Sequence, residues 1–226
     1  MLSALIKKIN DKNLNFFLKD LNKFVPKCKI VFDVGGYSGE FTNYLLNKFS
    51  EKLRIYIFEP LPEKYQYMKY YYKNKNFSQI KVFNFLIGSK NKDTIFYVGR
   101  HKRSSTSKLI NYLSFYYIIK FLLFKTALKK KIVAKQIKLD NFFKKIKQID
   151  LLKIDAEGNE LEVLKGCKLL IKKKKIKSIY IEILNHNLYK NYSKKLIEDF
   201  LKKDFYLVNS YKSHILFAED RFYVAK

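Results

Sequence analysis

Short apolar runs alternate with amphipathic stretches along almost the whole chain. Residues 29–34 (KIVFDV), 54–58 (RIYIF) and 80–86 (IKVFNFL) are rich in β-branched and aromatic side chains, the pattern of buried strands. Between them, residues 40–49 and 63–72 repeat their apolar positions at helical spacing. Strands separated by crossover helices imply βαβ units and a parallel sheet. Further on, 94–98 and 132–137 predict strands, 149–154 a buried strand, 159–171 a helix, 177–184 a strand and 193–203 a helix. Residues 205–208, then 214–218 with 221–224, predict a closing antiparallel pair. The first 25 residues predict an amphipathic helix packed outside the sheet. With no internal repeat, no flexible linker and three prolines, the expectation is one α/β domain over 1–226, with 1–28 as an N-terminal helical extension.

One stretch departs from this rhythm. Residues 109–128 read LINYLSFYYIIKFLLFKTAL, very apolar but cut by Lys120 and Lys125 and followed by Lys129, Lys130 and Lys131. It is too interrupted to span a bilayer. An insertion or lid over 109–131 packed on the core is the first expectation. The alternative is an interfacial helix in peripheral contact with an anionic membrane, its lysines reaching headgroups.

Composition sharpens this picture. A chain of 226 residues can bury a sizeable core, and 48% apolar with 17% aromatic residues excludes a disordered polycation. The formal charge of +27 invites a nucleic-acid partner, yet 43 of the 47 basic residues are Lys and four are Arg. Close reading of phosphates and bases favours the bidentate Arg fork. Phe, Tyr, Ile, Asn and Lys, all with A/T-rich codons, make up more than half of the chain. Codon composition thus accounts for much of the charge as a solvated lysine surface, and nucleic acid is the less favoured partner. Two cysteines make neither a disulfide framework nor a zinc cluster. The N-terminal residues have no uninterrupted apolar region or small-residue cleavage site, so the expected location is the cytoplasm.

Candidate chemistry gathers where predicted strands end. The first strand runs into Asp33-Val34-Gly35-Gly36-Tyr37-Ser38-Gly39-Glu40, a glycine-rich turn opening a helix. Such turns at the carboxyl edge of a doubly wound sheet bind nucleotides, the glycines letting backbone and ligand approach closely. The spacing is neither G-x-G-x-x-G nor a P-loop. An anion at Asp33 would repel a pyrophosphate but suits the amine of an amino acid, which favours S-adenosylmethionine over a nicotinamide dinucleotide. The second strand ends in Phe58-Glu59-Pro60; Glu59, twenty residues after Gly39, is placed to accept from both ribose hydroxyls. The third segment, Lys153-Ile154-Asp155-Ala156-Glu157-Gly158-Asn159-Glu160, puts Asp155 and Glu157 at another strand end. Glu160 and Glu162 are read as suiting the dipole of the following helix.

These segments, with Ile57-Phe-Glu-Pro-Leu-Pro, Leu139-Asp140-Asn-Phe-Phe and Lys153-Ile-Asp-Ala-Glu-Gly-Asn-Glu-Leu-Glu-Val-Leu-Lys-Gly in order, resemble the FkbM family of S-adenosylmethionine-dependent methyltransferases. Ile181-Glu182-Ile183 resembles that family's fifth strand, and the likeness runs from about residue 29 to 210. It implies a Rossmann-like class I methyltransferase fold: a mostly parallel central sheet, helices on both faces and an antiparallel C-terminal strand. It implies S-adenosyl-L-methionine as cofactor and O-methylation, commonly of sugar or natural-product hydroxyls. Asp33, Gly35, Gly36 and Gly39 carry over as the methionine-end pocket and Glu59 as the ribose ligand, while 84–88 matches the strand end near the adenine.

An alcohol is a poor nucleophile at neutral pH, so a base near the fourth or fifth strand is required. Asp155 is expected to orient cofactor or acceptor, with Glu157 or His186 as the base. Asp155, Glu157 and Glu182 offer hard oxygen ligands, but no dedicated metal spacing exists, and no metal is expected. The expected partner is a small-molecule or glycan acceptor. The alternatives are an RNA or DNA methyltransferase and a basic nucleic-acid-binding protein exploiting the +27 charge. Base N-methylating enzymes often carry an Asn/Asp-Pro-Pro-Tyr/Phe run where this chain has Asp155-Ala156-Glu157-Gly158, which argues against base methylation.

Overall fold

A computed structural model describes residues 2–49, 53–99, 105–112, 114, 128–142, 146–186, 188–212 and 218–226, without the side chains of 2–10, 128 and 129. Ten strands occur among them: β1 (Ile30–Val34), β2 (Arg54–Phe58), β3 (Ile80–Phe83), β4 (Leu86–Ile87), β5 (Lys92–Gly99), β6 (Leu128–Ile137), β7 (Leu151–Ile154), β8 (Ser178–Leu184), β9 (Phe205–Lys212) and β10 (Ala218–Ala225). The helices are α1 (Leu2–Phe24), α2 (Glu40–Lys48), α3 (Pro62–Asn74), α4 (Leu139–Phe142), α5 (Glu160–Gly166), α6 (Lys168–Lys172) and α7 (Lys194–Leu201).

Seven strands form the central sheet in the order β3-β2-β1-β7-β8-β10-β9. β1, β2, β3, β7 and β8 run parallel, and β10 is antiparallel to both β8 and β9. This is the predicted Rossmann-like class I methyltransferase sheet. A second, three-stranded sheet, β4-β6-β5, is built on the β5–β6 hairpin. The apolar segment predicted as a lid or membrane-surface helix belongs to the connection between these two strands. Of it, residue 113 and residues 115–127 lie outside the described residues.

Two predicted elements are divided. Residues 80–86 break into β3 and β4 because the Asn84 amide turns back, donating to the carbonyls of Glu59 (2.9 Å) and Pro60 (3.0 Å). The helix predicted over 159–171 breaks at Cys167, whose φ −107° and ψ 8° interrupt it between α5 and α6. The predicted pair near the C-terminus is β9 with β10; residues 214–217 lie outside the described residues.

The sheet buries both faces, so its strands read as continuous apolar runs rather than alternating ones. One core joins Phe32, Phe58, Leu152, Ile154, Ile181 and Ile183 to α5, α6 and α7. The other joins Val31, Ile55, Ile57, Leu151, Tyr180 and Phe222 to α1, α2 and α3, with Phe17 of α1 4.1 Å from the Tyr180 ring. Side-chain parity therefore turns Asp33, Lys153, Glu182 and Asp220 toward this second face, at its carboxyl end. There a polar row replaces the apolar one below it.

Candidate active site

The turn after β1 is shaped by close packing. Gly35 has φ +78°, and a Cβ there would lie 1.8 Å from the carbonyl oxygen of Asp155 on the neighbouring strand end. No side chain can be placed without moving β7 away from β1. A Cβ on Gly36 would meet Ile57 at 2.2 Å, and one on Gly39 the Tyr72 hydroxyl at 2.3 Å. What these three glycines admit is therefore protein: a strand end, a strand side chain and α3. Tyr37, with φ 47°, lies under the Lys64 ammonium, which is 3.9 Å from its ring and donates to the Ser38 hydroxyl at 2.6 Å.

Asp33 is fully buried and already engaged. Its Oδ2 accepts from the Thr42 hydroxyl at 2.8 Å, and its Oδ1, which makes no hydrogen bond among the described residues, faces the Lys153 ammonium at 3.2 Å. Lys153 lies directly across from Asp33 in the β1–β7 register. Its Nζ also donates to the Gly35 carbonyl at 2.9 Å and lies 3.6 Å from Asp155. Burial pulls the ammonium's pKa down, but Asp33 and Asp155 outweigh it and hold that pKa above the usual lysine range.

Glu59 is 4% exposed. Its Oε2 accepts the Tyr37 N–H and its Oε1 the Leu61 N–H, both at 2.8 Å, so one carboxylate ties the glycine turn to the start of α3. Each oxygen keeps further acceptor capacity. Burial pushes its pKa up to about 7, against the two N–H groups and Lys153, which pull it down.

The Asp155 side chain is 42% exposed and stands at the mouth of the crevice. Glu157, at φ 48°, accepts the Tyr189 hydroxyl at 2.7 Å through Oε2, while its carbonyl accepts the Thr106 hydroxyl at 2.7 Å. Glu160 is not a simple dipole partner. It is fully buried, and its Oε1 accepts the N–H groups of Ala156 and Gly158, each at 3.1 Å, holding the loop in its turn. Its Oε2 is buried with no hydrogen-bond partner among the described residues, and burial pushes its pKa up to about 8.

On β8, Glu182 lies opposite Asp220 of β10. Burial first, then Asp155, Glu157, Asp220 and Glu160, push Glu182 well above the carboxylate range. Asp220 is pushed up to about 7 by burial and by Asp155, against a hydrogen bond from Tyr180. His186 lies past the end of β8 in a shallow depression with Leu184, Asn185, Tyr192 and Lys194. Its Nδ1 accepts the Leu188 N–H at 3.1 Å, so the neutral ring carries its proton on Nε2. The lone pair a base would use is spent on the backbone. Among the described residues, no three His, Cys, Asp or Glu side chains come together in a metal-holding group.

The structure thus brings Asp33, Gly35 and Asp155 together around Lys153, links Glu59 to Tyr37 of the glycine turn, and places Glu157 beside Tyr189. Sequence reasoning missed Lys153, Asp220 and Tyr189. A lysine inside the otherwise apolar strand LLKI was the available signal for the first. A small cavity lined by Ile171, Lys174, Phe205 and Lys226 lies at the opposite, amino edge of the sheet and touches none of these groups.

The model of the Methyltransferase FkbM domain matches residues 33–210. The chain belongs to the FkbM methyltransferase family. Among solved structures, an FkbM methyltransferase from Methylobacillus flagellatus KT superposes with a TM-score of 0.57 at 16% identity, over 87% of this chain and 43% of that one. The bifunctional kinase-methyltransferase WbdD gives 0.52 at 8% identity, over 97% and 39%. The PH0226 protein from Pyrococcus horikoshii OT3 gives 0.52 at 12%, over 96% and 91%. At such identities these likenesses show the fold. This FkbM-family chain spans less than half the length of the first two structures. No curated protein matches it.

Proposed function

We propose that this FkbM-family chain is an S-adenosylmethionine-dependent O-methyltransferase acting on a hydroxyl of a saccharide, glycan or natural-product acceptor. The reading rests on one observation: the glycine turn after β1 is fastened on one side to the buried carboxyl of Glu59 and on the other, through the Lys153 ammonium on the Gly35 carbonyl, to the end of β7, which leads into Asp155. The donor set fits the cofactor. The Lys153 ammonium, seated on the Gly35 carbonyl beside Asp33 and Asp155, supports the reading that this strand end suits a primary ammonium of the kind the methionine end carries.

The glycine turn after Asp33 would hold the methionine end, and Glu59 would accept the ribose hydroxyls. Asp155 would orient the ammonium. When bound, the cofactor supplies an electrophilic methyl group on a sulfonium. The chain must align an acceptor oxygen with it and remove the hydroxyl proton. We assign the proton to the Glu157 carboxylate, which the Tyr189 hydroxyl orients through one oxygen. Glu157→Gln should cut methyl transfer by about 10²-fold or more with cofactor affinity within threefold, whereas His186→Ala should cost less than tenfold. Radiolabelled methyl transfer with calorimetric binding separates these; full turnover by the glutamine variant would remove Glu157 from the role.

The nucleic-acid alternative draws on the +27 charge, but Asp155 and Glu157 stand at the strand end where a substrate would enter. Two carboxyl groups there favour a neutral polyhydroxyl acceptor over a polyanion. The two free cysteines support a reducing, cytoplasmic setting. Among the described residues no helix is long and apolar enough to cross a membrane.

A further inference from the structure

Three charged groups meet at the junction of β1 and β7, and they differ in reach. The side chain of Asp33 is fully buried, that of Lys153 is 9% exposed and that of Asp155 is 42% exposed. Asp33 has Thr42 on one oxygen and the Lys153 ammonium facing the other, while the Gly35 carbonyl is taken by the same ammonium. A second ammonium arriving from the crevice meets the exposed Asp155 first, because Asp33 is fully buried behind Lys153.

Asp155 stands in acidic surroundings. Glu157 and Glu160 follow it in the loop and first turn of α5, Glu182 faces it from β8, Asp220 from β10 and Asp33 from β1. Lys153 of β7 is the ammonium set against these acids, 3.6 Å from Asp155; nearby Arg221 is turned to Glu219 and Glu198.

We propose that Lys153 is a positioning residue of the donor site, acting through Asp155. Anchored on Asp33 and the Gly35 carbonyl, its ammonium holds the Asp155 carboxylate at the crevice mouth to meet the ammonium of the methionine end. This rests on the S-adenosylmethionine reading above and deepens it: Asp33 serves as the anchor of Lys153 rather than as a ligand. Without Lys153, no ammonium fixes the Asp155 carboxylate in that position.

The test is calorimetric binding of S-adenosylmethionine at pH 8, with melting temperatures in parallel. Wild type, Asp33→Asn and the charge-neutral pair Asp33→Asn/Lys153→Met are compared, each with and without Asp155→Asn. Relative to Asp33→Asn, the pair should bind at least tenfold more weakly, with its melting temperature close to that of Asp33→Asn. With Asp155→Asn present, that difference should vanish. Should the methionine pair not fold, Asp33→Asn/Lys153→Gln takes its place. No loss, or a difference that survives Asp155→Asn, would overturn the proposal. Wild-type protein that binds no S-adenosylmethionine would instead overturn the cofactor reading, and this inference with it.

Discussion

Glu59 is where acidity and ligand binding meet. Its carboxyl is pushed up to about 7 by burial, and hydroxyl donors from a ribose favour the ionised form. Binding must therefore expel a proton below that pH. Affinity for S-adenosylmethionine should fall about tenfold per pH unit below about 7 and level off above it. Calorimetry in two buffers of different ionisation enthalpy should register release of up to one proton. A pH-flat affinity would show that Glu59 does not meet the ribose. The same residue, with Glu160 at about 8 and Asp220 at about 7, sets the stability profile. All three are raised above their ordinary values, so the fold favours their neutral forms. Their stabilisation is full in mild acid below those ordinary values and is lost as pH rises through 7 to 8. The melting temperature should drop by about 5 °C or more between pH 5 and 8.5. Glu160→Gln, which keeps an oxygen for the Ala156 and Gly158 N–H groups, should flatten that slope. Glu59 and Asp155 were legible in the sequence because each ends an apolar run. The anchoring of Asp33 was not legible, because its partner lies 120 residues away and only strand register brings them opposite.

Elements are held by side chains that reach across the sequence. Asp140, part of a motif carrying the family likeness, accepts the N–H groups of Leu169 and Leu170, each at 2.9 Å, at the start of α6. It is a helix cap supplied from another segment. Asp140→Ala should destabilise the fold by about 1–2 kcal/mol while leaving cofactor affinity unchanged, as urea denaturation and calorimetry would show. A loss of affinity without loss of stability would place Asp140 at the site instead. Asp150 acts similarly, one oxygen accepting the N–H groups of Lys29 and Ile30 at 2.9 and 2.8 Å to set β7 beside β1. Strand existence was readable from periodicity, since both faces are covered and the runs are continuously apolar. The breaks at Asn84 and Cys167 were not, because a side-chain amide reaching back 25 residues leaves no trace in local spacing. Glu160 was misread for a related reason. At a helix start the dipole offers a sufficient local account, and the loop that wraps its carboxyl is visible only in three dimensions.

For the molecule as a whole, charge is distributed unevenly. A formal +27 sits on a body whose strand ends at the candidate site carry acids. Lysine self-repulsion opposes the compact state and is screened by salt. Raising sodium chloride from 20 to 300 mM should therefore raise the melting temperature by several degrees; a fall would show that attractive ion pairs dominate. The α/β class and the parallel sheet followed from the alternation of apolar runs and helical stretches, whereas the strand order did not, and net charge alone pointed toward a polyanion.

Sheet order also has a temporal meaning. β10 lies between β8 and β9 although it follows both in the chain, and it is β9's strand partner in the sheet. During synthesis the first five strands of the sheet can associate as they emerge, but β9 has no ladder to join until β10 has been made. The edge of β8 that carries Glu182 stays uncovered over the same interval. Assembly of this half of the crevice is thus a late event, gated by the arrival of Asp220 and its strand.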